Sequence, residues 1–170
     1  MELDLESRAR ADDHQALRLW LRLLSCTHRI EGVIRSRLRQ DFATTLPRFD
    51  LLAQLERKPE GLSMRELSKR LMVTGGNITG ITDQLELEGL VVREARPSDR
   101  RSFTVKLTPA GLRQFKRMAS THEQWVVELL AAWSVEEKSQ VFGLLAGLKT
   151  QLSNLDGLEL PAVKAKDNAK

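Results

Sequence analysis

The sequence predicts a mainly α-helical protein that carries one small β-hairpin. Apolar residues recur at helical spacing near both ends of the chain, whereas two short helical patterns and two β-prone segments follow one another in the middle. This order predicts a winged helix-turn-helix domain over 44–108, flanked by a helical dimerisation region built from 12–41 and 109–155. Residues 157–170 carry no apolar pattern, and we expect them to be a disordered tail.

Size and composition are those of a soluble globular protein. The 170 residues include 41% hydrophobic and 29% charged side chains. No apolar run approaches the ~20 residues that cross a bilayer, and the acidic N-terminus lacks a secretory pattern. A single cysteine, Cys26, excludes an internal disulfide. We therefore expect a cytoplasmic protein without a membrane partner.

Positive charge is concentrated in the middle of the chain. The formal net charge is +4, yet residues 62–117 alone hold eleven Lys or Arg against six Asp or Glu. A local basic surface attracts phosphates, which favours binding to nucleic acid. A solvated basic face would give the same count, so the charge alone leaves both interpretations open.

The first helix is predicted from about Asp12 to Gln40, with Leu17, Leu21 and Leu24 on one stripe. A helix of this length needs a partner along its face, which indicates a bundle or a dimer.

The last part of the chain is also predicted to be helical, with apolar residues at helical spacing. One helix is predicted from Pro109 to Trp133, and a further helix begins at a second capping-box pattern.

Two short helices precede the hairpin. Ser63 and Glu66 have the spacing of a capping box, which starts the first of them. Thr74 offers an N-cap for the second, and Gly89 stands where a helix ends. A shorter helix before both is expected to begin around Thr44–Pro47 (residues 44–47), because threonine caps helices and proline fits the first turn.

The helix over 74–88 has two contrasting faces. Ile78, Ile81 and Leu85 define the inward side, whereas glycines occupy much of the outer side. Glycine costs a helix roughly 1 kcal/mol relative to alanine. Close approach of the backbone to another molecule would explain that cost. The major groove of DNA admits one such helix, although a merely polar, loosened surface helix remains the alternative.

The hairpin joins a β-prone stretch over 90–95 to the strictly alternating strand 102–107, in which Phe103, Val105 and Leu107 share one side. Arginines cluster in the loop between the strands. Arginine on a projecting loop enters the narrow minor groove readily, although an exposed, mobile charged loop is the alternative. The candidate DNA contacts in these elements are Ser63, Arg65, Thr74, Gly75, Gly76, Asn77, Thr79, Gly80, Arg96, Asp99, Arg100 and Arg101.

The stretch 62–111 resembles the multiple antibiotic resistance regulator (MarR) family. Its wing signature is Asp-x-Arg, then a strand that ends in Leu-Thr, then a glycine three residues later. Asp99, Arg101, Leu107, Thr108 and Gly111 match these positions. The long flanking helices extend the resemblance to about 16–155.

The resemblance implies a homodimeric transcription regulator, most simply a repressor, that binds a near-palindromic site on double-stranded DNA. Each recognition helix would enter a major groove and each wing an adjacent minor groove. The family's wing arginine corresponds to Arg101, its partner aspartate corresponds to Asp99, and Arg100 is a further candidate.

Members of this family are often released from DNA by a small molecule, commonly an aromatic acid. The candidate ligand residues are Trp20, His28, Arg29, Arg35 and Phe49. Arg29 or Arg35 would pair with a carboxylate or phosphate. Residues 44–50 and 73–77 resemble regulators of aromatic-compound catabolism, some of which sense aroyl- or cinnamoyl-coenzyme A. For Trp20 and His28 the alternative is an ordinary subunit interface, which the sequence favours over a ligand contact.

Other functions have less support in the sequence. Some family members sense peroxide through a first-helix cysteine, but those sensors use tyrosines, which this chain lacks. No phosphate loop, nucleophile elbow or zinc-protease motif is present, so we expect no enzyme, no cofactor and no metal site. A helical adaptor would explain the long helices but not the basic hairpin.

Overall fold

The computed structural model describes residues 5–96 and 99–155, with side chains over 14–95 and 103–154. The chain divides into two units, Met1–Val127 and Glu128–Lys170. The elements follow the order α1 (Leu5–Phe42), α2 (Leu46–Glu56), β1 (Leu62–Ser63), α3 (Met64–Leu71), α4 (Gly75–Leu87), β2 (Val91–Arg96), β3 (Asp99–Leu107), α5 (Pro109–Leu129) and α6 (Val135–Leu155). The predicted fold class, helical with a small β-hairpin wing, is confirmed.

The sheet has three antiparallel strands in the order β1-β3-β2. Val91 pairs with Leu107 at the base of the hairpin, and Leu62 of β1 pairs with Val105 on the other side of β3. The sequence did not predict β1, because two residues cannot show an alternating pattern. Its pairing covers the second edge of β3, so the hairpin is anchored on the domain at its base.

The burial of side chains along β3 follows the predicted alternation only in part, since Thr104 on the opposite side is also buried. Val105 is fully buried, but Phe103 is 47% exposed. Phe103 pairs with the exposed Ala95, at the end of the hairpin that projects away from the core. The side chains of this pair therefore lie open to solvent rather than in the core.

Helix starts follow the predicted caps to different degrees. The Glu66 amide donates to Ser63 Oγ at 3.3 Å, and the Ser63 amide donates to Glu66 Oε2 at 2.8 Å, which is the predicted capping box. Thr45 and Thr74 occupy N-cap positions, but neither side chain caps the helix. At the other end of α4, Gly89 has a φ of +71°, as its predicted role requires.

The core of the first unit is aliphatic. α2 contributes the largest share, with Leu51, Leu52 and Leu55 almost completely buried. Other helices and strands add further fully buried apolar side chains, namely Leu38, Leu67, Ile78, Leu85, Val91, Val105 and Met118. This core holds α3, α4 and the base of the hairpin in one body.

Two long helices differ in length from the prediction. α1 begins at Leu5 rather than near Asp12, because residues 5–11 are mostly good helix formers that need no buried face. α5 ends at Leu129 rather than Trp133, where two turns replace the helix before Ser134. No helix in the described part of the chain is long and apolar enough to cross a membrane.

The second unit contains α6. It begins at the second predicted capping box, where the Ser134 amide donates to Glu137 Oε2 at 2.7 Å and the Glu137 amide donates to Ser134 Oγ at 3.1 Å. Its apolar stripe lies open in the single chain, since Leu144, Leu145, Leu148 and Leu152 are all exposed.

Candidate nucleic-acid interface

α4 packs on the core through one face. Ile78, Thr82 and Leu85 are fully buried, whereas Ile81, which the sequence placed on this face, is only half-buried. The Thr82 hydroxyl donates to the Ile78 carbonyl at 2.7 Å, which satisfies this polar group inside the core. Sequence patterning missed Thr82 because a polar residue does not score as an inward position.

The outer side of α4 carries glycines that no internal contact explains. Gly75, Gly76 and Gly80 are exposed, and a Cβ at any of them would meet no atom of the described chain within 4 Å. The domain therefore keeps a bare helix surface at a cost of roughly 1 kcal/mol per interior glycine relative to alanine. Such a surface lets another molecule approach the helix backbone closely.

Polar groups surround this glycine surface. Thr74, Asn77 and Thr79 are all exposed. The Thr79 hydroxyl donates to the Gly75 carbonyl at 2.9 Å and keeps its oxygen as an acceptor. Because Thr74 does not cap the helix, the amides of the first turn of α4 face an exposed end. Amides in this position suit phosphate oxygens.

The two candidates on α3 differ in their environment. Arg65 is exposed, so its charge is available to a polyanion. Ser63 is half-buried, and its hydroxyl also donates to Glu66 Oε2 at 2.6 Å within the capping box. The structure thus gives Ser63 a role in starting α3, and its contact with DNA stays a prediction.

The hairpin brings the wing candidates to its outer end. Arg96 and Asp99 face each other in the backbone register of β2 and β3, next to a register irregularity after Ala95. The side chains of Arg96, Asp99, Arg100 and Arg101 lie outside the described part of the structure, as do residues 97 and 98. Within the hairpin, Lys106 Nζ lies 2.7 Å from Glu94 Oε2 and ties the two strands together.

The base of the hairpin is joined to α4 by Arg93, which sequence reasoning did not single out. Its guanidinium donates to both Asp83 and Glu86 of α4, and its backbone amide donates to Glu86 Oε1 at 3.0 Å. Burial by itself lowers the pKa of Arg93, but the hydrogen bond to Asp83 and the charge of Glu86 outweigh it and raise the pKa overall.

Gly111, the last position of the wing signature, has a packing reason. A Cβ there would lie 1.9 Å from the Leu90 carbonyl oxygen, so α5 approaches the start of the hairpin as closely as a backbone can. Thr108 completes the junction, since its hydroxyl donates to the Gly89 carbonyl at 2.7 Å and accepts from the Gly111 amide at 3.0 Å.

The predicted ligand residues do not converge in the single chain. Arg35 lines a cleft of about 190 Å³ together with Glu31, Leu46, Pro47, Asp50, Leu71, Val73 and Ile81. Trp20, His28 and Arg29 are exposed elsewhere on α1. Phe49 is buried in the core, where its ring centroid lies 5.6 Å from that of Phe115 and 4.9 Å from that of His122.

The charges in this cleft are coupled. Arg35 Nη2 lies 2.9 Å from Glu31 Oε2, so the cation is already paired. Burial and the neighbouring Glu31 raise the pKa of Asp50 to about 6, and Arg35 opposes that shift. Asp50 was missed by the sequence reasoning, although its place in the apolar stretch Phe49–Leu52 (residues 49–52) was a usable signal.

Two further predictions concern reactive or metal-binding groups. No group of three or more His, Cys, Asp or Glu side chains that suits a metal ion occurs among the described residues. Cys26 is exposed on α1, so burial does not shield its thiol in the single chain.

Comparison with known proteins gives the family. The MarR family model matches residues 44–103. A crystal structure of a MarR family transcriptional regulator from Silicibacter pomeroyi is 35% identical, with a TM-score of 0.71 over 83% of this chain and 97% of that one. The chain belongs to the MarR family. The predicted class, a transcription regulator of the DNA-binding helix-turn-helix type rather than an enzyme, is confirmed at this level.

Further relatives match the chain in sequence or in fold. PecS, a transcriptional regulator from Dickeya dadantii, is 32% identical over 108 residues, which is 62% of this chain and 65% of PecS. The matches span 55–66% of the lengths of the curated relatives. A family member from Streptomyces coelicolor, solved in complex with DNA, is 22% identical, with a TM-score of 0.68 over 89% of each chain.

Proposed function

We propose that this MarR-family protein binds a palindromic operator in double-stranded DNA as a homodimer and represses transcription until a small aromatic effector releases it. The observation that carries the proposal is the bare glycine surface of α4, which no internal contact explains, in the same unit as the hairpin with the arginine-rich loop. The Streptomyces coelicolor neighbour, solved with DNA, supports this reading of the shared fold.

DNA binding would combine two kinds of contact. α4 fits the major groove, where Asn77 and Thr79 would reach base edges and the first-turn amides would reach phosphates. The wing arginines, above all Arg101, would enter the adjacent minor groove. Phosphate contacts supply most of the affinity in such complexes and base contacts supply the sequence preference.

The homodimer rests on exposed apolar residues in the single chain. α1 exposes Leu17, Trp20 and Leu21, each by more than half of its surface, and α6 exposes an apolar stripe of its own. Exposed apolar stripes of this length are typical of an interface between subunits. Two copies related by a two-fold axis would present two α4 helices to two half-sites of a palindrome.

A gel-shift titration tests the DNA-binding proposal. The probe is a duplex selected from a random pool by the wild-type protein, and the variant is Arg101→Ala. Loss of a minor-groove arginine from each subunit should weaken binding by about tenfold or more. Arg57→Ala removes the same charge from an exposed position after α2 and should change affinity by less than about threefold. Equal effects of the two substitutions would argue against the wing contact.

The effector proposal extends the resemblance to regulators of aromatic catabolism. The effector is an aromatic carboxylate or an aroyl- or cinnamoyl-coenzyme A thioester, and Arg35 is the candidate that already lines a cleft. Glu31 already occupies one nitrogen of the Arg35 guanidinium, so a ligand carboxylate would either share Arg35 with Glu31 or displace it. Calorimetry with phenolic acids and their thioesters tests this step. One of these compounds should bind the wild type, bind Arg35→Ala more weakly and release the selected duplex from the protein. No measurable binding of any compound would reject the proposal.

A redox switch at Cys26 is the second candidate, because the thiol is exposed in the single chain. Peroxide would then abolish DNA binding by the wild type and spare Cys26→Ser. Equal binding by both proteins after peroxide treatment would leave release by a small molecule as the mechanism.

A further inference from the structure

Besides the shared core, one ionic side chain, Arg93, joins the base of the wing to the recognition helix α4. Arg93 is the third residue of β2, and its guanidinium bridges Asp83 and Glu86, which lie three residues apart on one side of α4. The Arg93 side chain is 23% exposed, whereas the carboxylates of Asp83 and Glu86 are 58% and 36% exposed, so the bridge lies at the surface with its cation the more buried partner. Its backbone amide adds a further bond to Glu86 at 3.0 Å.

We propose that Arg93 is a positioning residue for DNA binding, which fixes the angle between wing and recognition helix so that both engage one duplex together. The proposal rests on the proposed DNA-binding function. It also explains why α4, a helix that would face phosphates, carries two carboxylates near its outer side. Left alone they would repel DNA, whereas bridged by Arg93 they hold the wing.

The geometry of the hairpin makes its base the sensitive point. Phe103 and Ala95, the outermost pair of the hairpin whose side chains the structure describes, are both exposed and have no packing layer. At about 3.3 Å per residue, the end of β2 lies about 10 Å beyond Arg93, so a tilt of about 10° at the base moves it by about 2 Å. A hydrogen bond is lost over a smaller distance than that.

The competing explanation is that Arg93 touches a phosphate directly. The two explanations predict opposite effects when the carboxylates are neutralised. If Arg93 positions the wing, the double substitution Asp83→Asn with Glu86→Gln breaks the bridge and weakens DNA binding. If Arg93 contacts a phosphate, the same change frees the arginine, removes two negative charges and tightens binding.

The experiment uses the full chain and a duplex selected by the wild type from a random pool. We expect Arg93→Gln and the double carboxylate variant each to weaken binding by about tenfold. Protection of the minor groove from hydroxyl radicals should be lost at the wing position, while protection of guanine N7 in the major groove should remain at saturating protein. Arg93→Lys should recover only part of the affinity, since an ammonium cannot bridge two carboxylates as a guanidinium does.

Two matched controls separate positioning from loss of stability. Arg48 pairs with Glu88 at the end of the same helix, but it comes from α2 rather than from the wing. Lys106 pairs with Glu94 inside the hairpin. Arg48→Gln and Lys106→Gln should each change affinity by less than about threefold and keep both groove protections.

Three results would overturn the inference. They are tighter binding by the double carboxylate variant, full affinity of Arg93→Lys, and equal losses with Arg93→Gln and Arg48→Gln. Failure of the wild type to select any duplex would instead overturn the proposed function, and this inference with it.

Discussion

Gly111 of α5 lies directly against Leu90, with no room for even a methyl group between the helix and the backbone of the hairpin. An added Cβ would stand 1.9 Å from the Leu90 carbonyl oxygen and 2.8 Å from its carbonyl carbon. The atoms in the way are backbone atoms that cannot rotate aside. The contact therefore fixes how closely α5 approaches the start of β2.

Gly111→Ala should therefore destabilise the protein strongly. We expect a loss of about 3 kcal/mol or more in the free energy of unfolding, since overpacking against a rigid neighbour forces the backbone to shift. Urea denaturation measures the loss. Gly32→Ala in α1, where a Cβ meets nothing within 4 Å, should be neutral or stabilising, and a loss there similar to that of Gly111→Ala would contradict the packing argument.

The glycine surface of α4 predicts opposite effects on stability and binding. Replacing Gly76 and Gly80 by alanine should raise the free energy of unfolding by up to about 1 kcal/mol at each position, because both are helical and unobstructed. The added methyl groups should weaken binding to a selected duplex, because they hold the helix backbone away from the groove. Unfolding and anisotropy titrations check the two effects. A variant that is more stable and binds DNA as well as the wild type would remove the reason given for the glycines.

Asp50 predicts a pH dependence of stability. Its pKa is raised from 3.8 to about 6 in the fold, so ionisation is harder in the folded state than in the unfolded chain. Its contribution to stability is complete below about pH 4 and is lost as the pH rises through about 6. Asp50→Asn cannot ionise and so avoids this loss. At pH 8 its free energy of unfolding should exceed that of the wild type by about 1 kcal/mol, a figure reduced for the partial exposure of the group.

Thermal unfolding between pH 4 and pH 8 measures the difference between Asp50→Asn and the wild type. The exposed Asp41 serves as a control, and Asp41→Asn should follow the wild type throughout. A constant difference between Asp50→Asn and the wild type over this range would show that Asp50 does not titrate there.

If the apolar stripe of α6 forms the interface of the proposed homodimer, charges placed on it should separate the two subunits. Leu148→Glu together with Leu152→Glu places two charges on the exposed stripe and should give a monomer in sedimentation or size-exclusion experiments. The monomer should also bind a palindromic duplex more weakly, since it engages one half-site at a time. Thr150→Glu, on the opposite side of the helix, should remain dimeric. Dimers in all three proteins would place the interface elsewhere.

Much of the fold was predictable because its signals are local. The capping boxes at Ser63 and Ser134 need only the residue three positions on, and both form as the spacing predicts. The inward positions Ile78 and Leu85 follow from helical periodicity, because residues seven positions apart lie on the same face of a helix.

The remaining features depend on contacts between distant segments. β1 forms because Leu62 pairs with Val105, which lies forty-three residues later in the chain. No local sequence pattern predicts a strand of two residues. The sequence does not distinguish Arg93 from the other basic residues of this region, because only the folded chain places it against Asp83 and Glu86. Phe49 was predicted as a ligand residue because its ring suits an aromatic ligand, but in the structure that ring packs against Phe115 and His122.

The turn of the helix-turn-helix begins on a residue in an uncommon conformation. Met72 caps α3 with a φ of +52°, and its side chain is 92% exposed. A side chain at positive φ costs about 1 kcal/mol, which glycine avoids and asparagine reduces. Replacing Met72 by glycine or asparagine should therefore raise the melting temperature of the domain. The position contributes neither to the core nor to the glycine surface, so it is a suitable first target for engineering a more thermostable regulator.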